Sequence, residues 1–188
     1  PRIQEYGAYG YSIHPLFPVS SKKKSWQELG DAFFCLEGNG PHLSEWKNRL
    51  TRLGVKTHII TGNDKVRYHA ACAIASNLMC ALAQESVELL ECCGFSEKNA
   101  IQALAPLMKS NLSHIIKDGP VAALTGAAER CDTSTVKKHL DNLQSDEEKS
   151  GYISLTLKLA EMAKKKHPDR DYRALEDLLH NYQRRIRT

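Results

Sequence analysis

The sequence of 188 residues lacks the short motifs that identify several large enzyme classes. G-x-S-x-G, H-E-x-x-H and the P-loop are all absent, so serine hydrolase and metalloprotease chemistry has no motif to support it. G-x-G-x-x-G is absent as well. The stretch LEGNGP has glycines at 38 and 40 but no third glycine, and we interpret it as a turn with only a weak phosphate-loop signal.

The cysteines form no C-x-x-C pair. They fall within apolar stretches, at positions 35, 72, 80, 92, 93 and 131. This distribution favours buried, reduced thiols in a cytoplasmic protein over a disulfide framework or a zinc site, and we expect no metal. The first residues also lack the basic and then apolar pattern of a signal peptide.

No large excess of charge of one sign is present. The net charge is only +4, with 41% hydrophobic and 26% charged residues, an ordinary globular balance. The basic runs are local, namely Lys22–Lys24, Lys164–Lys166, and Arg184, Arg185 and Arg187. We interpret them as solvated surface and expect no nucleic-acid partner.

The longest uncharged window, residues 68–84, approaches the length of a membrane span. It contains His69, Asn77 and Gln84 and is rich in alanine, cysteine and serine. We therefore predict a helix buried in protein, with a subunit interface as one possible setting, and no membrane partner.

Hydrophobic periodicity divides the chain into a strand-containing start and a helical remainder. Strands are predicted at 9–16 (running into a loop at His14 and Pro15), 32–39 and 55–62, with an amphipathic helix at 41–54 between the last two. Helices are predicted at 64–93, 96–117, 133–144 (with Thr133 as cap), 152–165 and 171–187, with a short broken segment at 121–132. Pro106 should kink or divide its helix, and QSDEEKSG is predicted to be a polar loop.

Two domains follow from this pattern. Residues 1–62 are predicted to be part of an α/β sheet domain, and residues 63–188 an all-α helical domain. Because two or three strands and one helix cannot cover both faces of a mainly parallel sheet, we expect a missing upstream half or a tight partner.

Lys65 and His69 depart from ordinary helix chemistry. NDKVRYHAACAIASN begins a helix, yet Lys65 and Arg67 lie in its first turn, where the helix dipole disfavours positive charge. The spacing of four residues puts Lys65 and His69 on one face, at the predicted junction between domains, a favoured place for ligands. We predict a catalytic pair with Lys65 as proton donor; the alternative is a surface lysine and a satisfied histidine.

His14 and Pro15 are predicted to follow a strand. Loops beyond the carboxyl ends of strands bind ligands in α/β proteins, and Pro15 restricts His14 to an extended backbone. We therefore count both as candidate substrate-binding residues. The alternative is a turn histidine without a task.

The stretch GPVAALTGAAERCD supplies Thr125, Arg130 and Asp132 as further candidate substrate-binding residues. Arg130 could bind a carboxylate or phosphate in bidentate fashion, or it could pair with Asp132 structurally. Asn111 and Asn77 lie in largely apolar helices and need hydrogen-bond partners if buried. We keep Asn111 as a candidate and interpret Asn77 as an internal strut.

Several stretches in order resemble one family: SIHPLFPVS, FFCLEGN, NDKVRYHAACAIASNLMCAL, the segment with ALTG and R-x-D, and GYISLTLKLAEMA. Together, over residues 9–165, they resemble Rossmann-like proteins with a C-terminal domain of unknown function numbered 2520. These proteins are similar to pyrroline-5-carboxylate reductase and to the deazaflavin-dependent NADP oxidoreductases.

The resemblance implies an oxidoreductase that uses NADP or NAD. It implies that residues 1–62 are an α/β remnant, the back half of a Rossmann-like sheet. It also implies that residues 63–188 are an all-α helical dimerisation domain like the C-terminal domain of 6-phosphogluconate dehydrogenase. In the wider superfamily a lysine at the start of the interdomain helix acts on the substrate oxygen, with a polar partner one turn on. Lys65 and His69 match that placement, and the HP of His14 and Pro15 resembles the substrate-side loop of prephenate dehydrogenases.

Two departures from the family pattern stand out. Ala127 and Cys131 occupy positions where the family usually has proline and glycine, and the family's upstream G-x-G-x-x-G is absent from this chain. The expected function is hydride transfer to or from a small carbonyl, imine, alcohol or amine. The alternative is a non-catalytic dimerisation or ligand-sensing module on the same fold.

Overall fold

The computed structural model describes residues 3–18, 29–30 and 32–186. The chain divides into two compact units, Pro1–Phe95 and Ser96–Thr188. A small sheet precedes a long helical series, as the predicted fold class requires. The boundary predicted at 62/63 marks the change from strands to helices, whereas the compact units divide after Phe95. These are different criteria, so the predicted domain boundary stays a prediction. The run Lys22–Lys24 and Arg187 lie outside the described residues.

The sheet of the first unit has three strands: β1 (Tyr11–Leu16), β2 (Phe33–Gly38) and β3 (Lys56–Ile59). β2 lies in the centre, antiparallel to β1 and parallel to β3. Helix α1 (Leu43–Arg52) connects the parallel pair, so the predicted strand, helix and strand form a crossover unit. Cys35 and Leu36 of β2 are buried, as expected for the central strand of an apolar run.

His14 and Pro15 lie inside β1 rather than in a loop after it, so the predicted loop is wrong. The antiparallel ladder continues past them to the pair of Leu16 with Phe33. β1 is an edge strand. Proline is tolerated there because its missing N–H removes no necessary ladder bond.

The helix predicted at 64–93 is divided in two. A short 3₁₀ turn (Gly62–Asp64) leads into α2 (Lys65–Ala75), and α3 (Asn77–Cys92) follows after a break at Ser76. The Ser76 hydroxyl donates to the carbonyl of Cys72 at 2.7 Å and to Asn77 Oδ1 at 3.1 Å. A serine that bonds back to the carbonyl four residues earlier tends to bend a helix, which explains the division.

The surfaces of α2 and α3 are largely exposed within this chain, so the chain by itself does not supply the predicted burial. The exposed large side chains are Val66, Ile74, Leu78, Met79, Leu82 and Leu89. The segment Gly62–Cys92 is long and apolar enough to cross a membrane. Core helices of soluble proteins can have the same length and hydropathy. The cysteines also differ in part from the predicted burial. Cys35 is buried as predicted, whereas Cys80, Cys92 and Cys93 are exposed.

The second unit consists of helices α4 to α8. Their bounds are Glu97–Asp118, Pro120–Ala123, Thr133–Asn142, Asp146–Lys166 and Arg173–Ile186. Pro106 lies inside α4 without dividing it. The core combines side chains of α6, α7 and α8 with the loop after α5; its members are Leu124, Ala128, Val136, Leu140, Ile153, Ala160, Ala163, Tyr172, Leu175 and Leu179.

Two helix starts differ from the predicted ones. Asp132, not Thr133, caps α6 by accepting from the backbone N–H of Thr135 at 3.0 Å. Helix α7 begins inside the predicted polar loop. There Ser145 accepts from the Glu148 N–H, and the Glu148 carboxylate accepts from the Ser145 N–H. Such a capping box satisfies donors that a helix start otherwise leaves free.

Candidate functional site

Lys65 is the first residue of α2 and forms an ion pair with the end of the central strand. Its Nζ lies 2.5 Å from Oε2 of Glu37, and the two side chains are 43% and 23% exposed. The carboxylate offsets a positive charge that the helix start would otherwise disfavour. Glu37 Oε2 is buried, and no described donor reaches it with hydrogen-bond geometry, so the contact is an ion pair without an aligned hydrogen bond.

A cavity of about 380 Å³ opens beside this pair. It lies entirely within the first unit, where β2 ends and α2 begins. Besides Glu37 and Lys65 it is lined by Ile3, Gly10, Tyr11, Ser12, Gly38, Asn39 and Gly62. An ammonium group, a carboxylate, a hydroxyl and an amide therefore surround one small space.

The glycines after β2 serve close packing. A Cβ at Gly38 would lie 2.5 Å from the ring of Tyr11, and one at Gly40 would lie 2.0 Å from the Tyr11 hydroxyl and 2.6 Å from Cβ of Tyr9. Tyr11 in turn accepts from the backbone N–H of His42 at 3.1 Å, at the start of α1. Because Tyr11 fills the space over these glycines, the described residues do not fit a dinucleotide phosphate there, in agreement with the weak predicted signal.

Three rings form a second cluster at the start of α2. His14 Nδ1 and the Tyr68 hydroxyl are hydrogen-bonded at 2.7 Å. The His14 ring lies 5.3 Å from the His69 ring, and Tyr68 lies 5.2 Å from His69, both in edge-to-face geometry. The predicted residues His14 and His69 therefore lie in one cluster, and Tyr68 contacts both of them.

Tyr68 also connects this cluster to the thiols of Cys35 and Cys72. Burial raises its pKa, and its hydrogen bond with the Cys35 thiol acts in the same direction. Burial likewise raises the pKa of Cys35. His14 and Cys35 are direct cross-strand partners, so their side chains share one face of the sheet. The phenol therefore remains protonated at physiological pH and can donate or accept a hydrogen bond.

His14 and Pro15 line another cavity, of about 270 Å³, with Leu16, Phe17, Pro18, Cys72, Ala75 and Ser76. Lys65 does not line it, and His14 does not line the cavity at Glu37. The predicted residues of the first unit therefore divide between two neighbouring spaces. His69 lines neither of them.

In the second unit, a clamp fixes the loop that carries the other candidates. The connection between α7 and α8 holds Glu129 in three ways: its carbonyl accepts from Arg170 at 2.7 Å and from the Tyr172 hydroxyl at 2.6 Å, and its carboxylate bonds to His167. The His167 bond is the largest cause of a pKa for Glu129 below its ordinary value. Lys166 donates to the carbonyls of Ala122 and Leu124, at 3.0 and 2.6 Å.

The clamp leaves Thr125 and Arg130 exposed. Arg130 forms no ion pair within 4 Å in the described part of the chain, although its charge contributes to a lowered pKa of Asp132, behind the hydrogen bonds from Thr135. Asp132 has a structural task as the cap of α6. Asn111 lies exposed on α4. All four belong to the second unit, and their roles in binding stay predictions.

Sequence reasoning missed Glu37, Tyr68 and Cys35. Tyr68 stands inside the stretch that directed attention to Lys65 and His69, so its place one turn from Lys65 was a usable signal. Glu37 is separated from Lys65 by a helix and a strand, and only the crossover connection brings them together. No spacing rule within one element could have paired them.

The basic run Lys164–Lys166 is partly engaged. Lys164 pairs with Glu176 at 2.6 Å, and Lys166 bonds to two carbonyls. Among the described residues, no group of three histidine, cysteine or acidic side chains could hold a metal ion.

Comparison with known proteins places this geometry in a wider context. The family model of the domain of unknown function DUF2520 matches residues 32–159, more than half of the chain. That range includes Glu37, Lys65, His69 and the clamped loop. No curated protein matches the sequence at a significant level.

Two solved structures are similar. Protein TM1727 from Thermotoga maritima has 28% identity and a TM-score of 0.70, over 83% of this chain and 62% of that one. The "putative NADP oxidoreductase BF3122" from Bacteroides fragilis has 17% identity and a TM-score of 0.64, over 82% and 58%. The second likeness concerns the fold alone. This chain spans about three fifths of the length of either structure.

Proposed function

Because the chain belongs to the family of the domain of unknown function DUF2520, we propose that it carries the substrate-handling part of an NAD(P)-dependent oxidoreductase. The reaction class is hydride transfer between a nicotinamide and a small carbonyl, imine, alcohol or amine. The fold shared with a protein named as an NADP oxidoreductase supports the class.

The observation that carries the proposal is Lys65 at the start of α2, beside a cavity of about 380 Å³. A charged lysine next to a small, partly apolar space can donate a proton to the oxygen or nitrogen of a bound substrate. Lys65 is therefore the proposed proton donor, or acceptor in the reverse direction. His69 is proposed to orient Lys65 or to share its proton, and His14, in the same cluster through Tyr68, is a proposed substrate-binding residue.

The remaining candidates are proposed as substrate-binding residues of the second unit. Arg130 is an exposed cation on a fixed loop and is suited to bind a carboxylate. Thr125 and Asn111 are proposed to supply further polar groups for the substrate. The cofactor, NADP or NAD, would supply the hydride. Tyr11 fills the space over Gly38 and Gly40, so we assign neither glycine to the nucleotide.

We also propose that the protein is a homodimer through its helical segments. Helix α4 exposes Ile101, Met108, Leu112 and Ile115, whose spacing puts them on one face; we refer to them as the α4 apolar face. Exposed apolar surface of this extent is typical of an interaction site. The same observation favours the second candidate function, a dimerisation or ligand-sensing module without catalysis.

The proposed function is tested by turnover. The native protein is supplied with NADPH and a panel of small ketones, aldehydes and cyclic imines, and loss of NADPH absorbance is followed. With an active substrate, Lys65→Ala should lower kcat about 10²–10⁴-fold, the usual contribution of a general acid, while thermal stability stays near that of the wild type.

Lys47→Ala is the matched control, since Lys47 is an exposed lysine on α1 in the same unit. It should retain wild-type turnover. Unchanged kcat in Lys65→Ala would remove Lys65 from the reaction. Absence of NADPH oxidation across the panel, together with absence of NADPH binding, would favour the non-catalytic module.

A further inference from the structure

We propose that Glu37 is a positioning residue for Lys65 and that the cavity lined by both is the reacting centre. This inference rests on the proposed function, because it assigns a partner to the proposed proton donor. It also separates the two cavities of the first unit by role: the space at Glu37 and Lys65 is the place of proton transfer, and the space at His14 is not.

The first argument is electrostatic. Lys65 stands at a helix start, where the backbone N–H groups disfavour a cation. Glu37 places a carboxylate oxygen 2.5 Å from Nζ. Asp64 also precedes the helix, but its carboxylate accepts from the Thr61 hydroxyl at 2.5 Å. Among the described residues, Glu37 is the only acidic group within ion-pair distance of Lys65.

The second argument concerns the burial of the Glu37 carboxylate. Its Oε2 is buried, and the Lys65 ammonium lies 2.5 Å away and compensates its charge. Because the Lys65 side chain is 43% exposed, the ammonium can present its other N–H groups to a bound molecule while it remains next to its counter-charge.

The third argument is placement. Glu37 and Lys65 both line the same cavity, and its other polar members, Ser12 and Asn39, come from the neighbouring strand and from the turn after β2. The carboxylate therefore lies at the end of a rigid central strand, not on a mobile loop. In the reaction, Lys65 gives its proton to the substrate oxygen or nitrogen, becomes a neutral amine and is reprotonated by water. Glu37 keeps its charge throughout and favours the recharged ammonium.

The test measures the reactivity of Lys65 directly, without a substrate. The native protein is acetylated with a trace of acetic anhydride between pH 7 and pH 10, and modification of each lysine is quantified by peptide mass spectrometry. Only the neutral amine reacts. We expect Glu37→Gln to raise the Lys65 rate about tenfold at pH 8, because the Lys65 ammonium loses the carboxylate that lies 2.5 Å from it.

Lys47 and Lys56, exposed lysines of the same unit, are internal controls whose rates should not change. Glu37→Asp, which keeps the charge, should restore most of the wild-type rate, a rescue that a merely structural role would not produce. If Glu37→Gln does not fold, the wild type alone decides: Lys65 should react several-fold more slowly than Lys47 and Lys56. Equal rates in that comparison, or an unchanged Lys65 rate in Glu37→Gln, would overturn the proposal.

The outcome is distinguishable from failure of the proposed function. A changed Lys65 rate in Glu37→Gln, with no NADPH oxidation by the wild type, would keep the pair and remove the reaction class. An unchanged Lys65 rate, with turnover lost in Lys65→Ala, would keep the reaction and remove Glu37 from it.

Discussion

Cys131 has a left-handed backbone, with φ of +58°, and it is the only non-glycine residue with positive φ in the described chain. The family usually has glycine at this position, and the observed angle supplies the reason: glycine adopts it without strain. A side chain there costs about 1 kcal/mol or more. The thiol offsets part of that cost by packing against the core of the second unit.

We therefore expect Cys131→Gly to be at least as stable as the wild type. Cys131→Val should be less stable by about 1–3 kcal/mol, because a β-branched residue fits the left-handed region poorly. Urea denaturation of the three proteins checks this. Equal stability of the valine and glycine variants would mean that the backbone at this position is not strained.

Glu129 provides a prediction about pH. Its folded pKa lies below the ordinary value of 4.5, chiefly because of the hydrogen bond with His167. A carboxyl group with a depressed pKa stabilises the fold above its unfolded value and loses that contribution as pH falls through the folded value. Stability should therefore decline below about pH 4.5 more steeply in the wild type than in Glu129→Gln. Thermal melts at pH 3 to 6 test this, and parallel declines would contradict it.

At the scale of elements, the sequence predicted most of the helices and all of the strands in the described residues, because periodicity reports which face is buried. It failed where side chains compete with the backbone. Ser76 ends a helix through its own hydroxyl, and Ser145 with Glu148 begins one inside a polar stretch. Both are local hydrogen bonds that composition does not reveal.

The capping box at the start of α7 should contribute measurably to the second unit. Ser145→Ala removes the acceptor for the Glu148 N–H, which lies 3.1 Å from the serine oxygen. We expect a loss of about 1 kcal/mol. Ser154→Ala, at an exposed position in the middle of the same helix, is the control and should be neutral or slightly stabilising. A Ser145→Ala variant as stable as the control would show that the box contributes nothing.

Only some residues of the candidate site could be predicted from the sequence. Lys65, His69 and His14 could be selected, because each breaks or marks a local pattern. Their partners Glu37 and Cys35 could not, because both are supplied by β2, and the pairing depends on tertiary structure. Asp132 was selected as a binding residue, and the structure gives it in addition a task as a helix cap.

At the scale of the whole molecule, the exposed apolar side chains of the helices are the basis for the proposal of a partner. If that partner is a second copy, Leu112→Glu in the α4 apolar face should raise the dimer dissociation constant at least about 100-fold, because a charge would be buried without a counter-ion. Sedimentation equilibrium measures the change. Ser154→Glu on α7 is the control, and a wild type that is monomeric at all concentrations would refute the homodimer.

The central claim is that this chain serves a nicotinamide-dependent reaction. The most direct measurement is a tryptophan-fluorescence titration of the complete native protein with NADPH, since we assign none of the described residues to the nucleotide. The account predicts saturable quenching that excess NADP⁺ reverses. Lys65→Ala should leave this binding intact, because Lys65 is assigned to the substrate and not to the nucleotide. A titration that never saturates, in a protein that remains folded, would contradict the oxidoreductase and leave the dimerising module as the function of the fold.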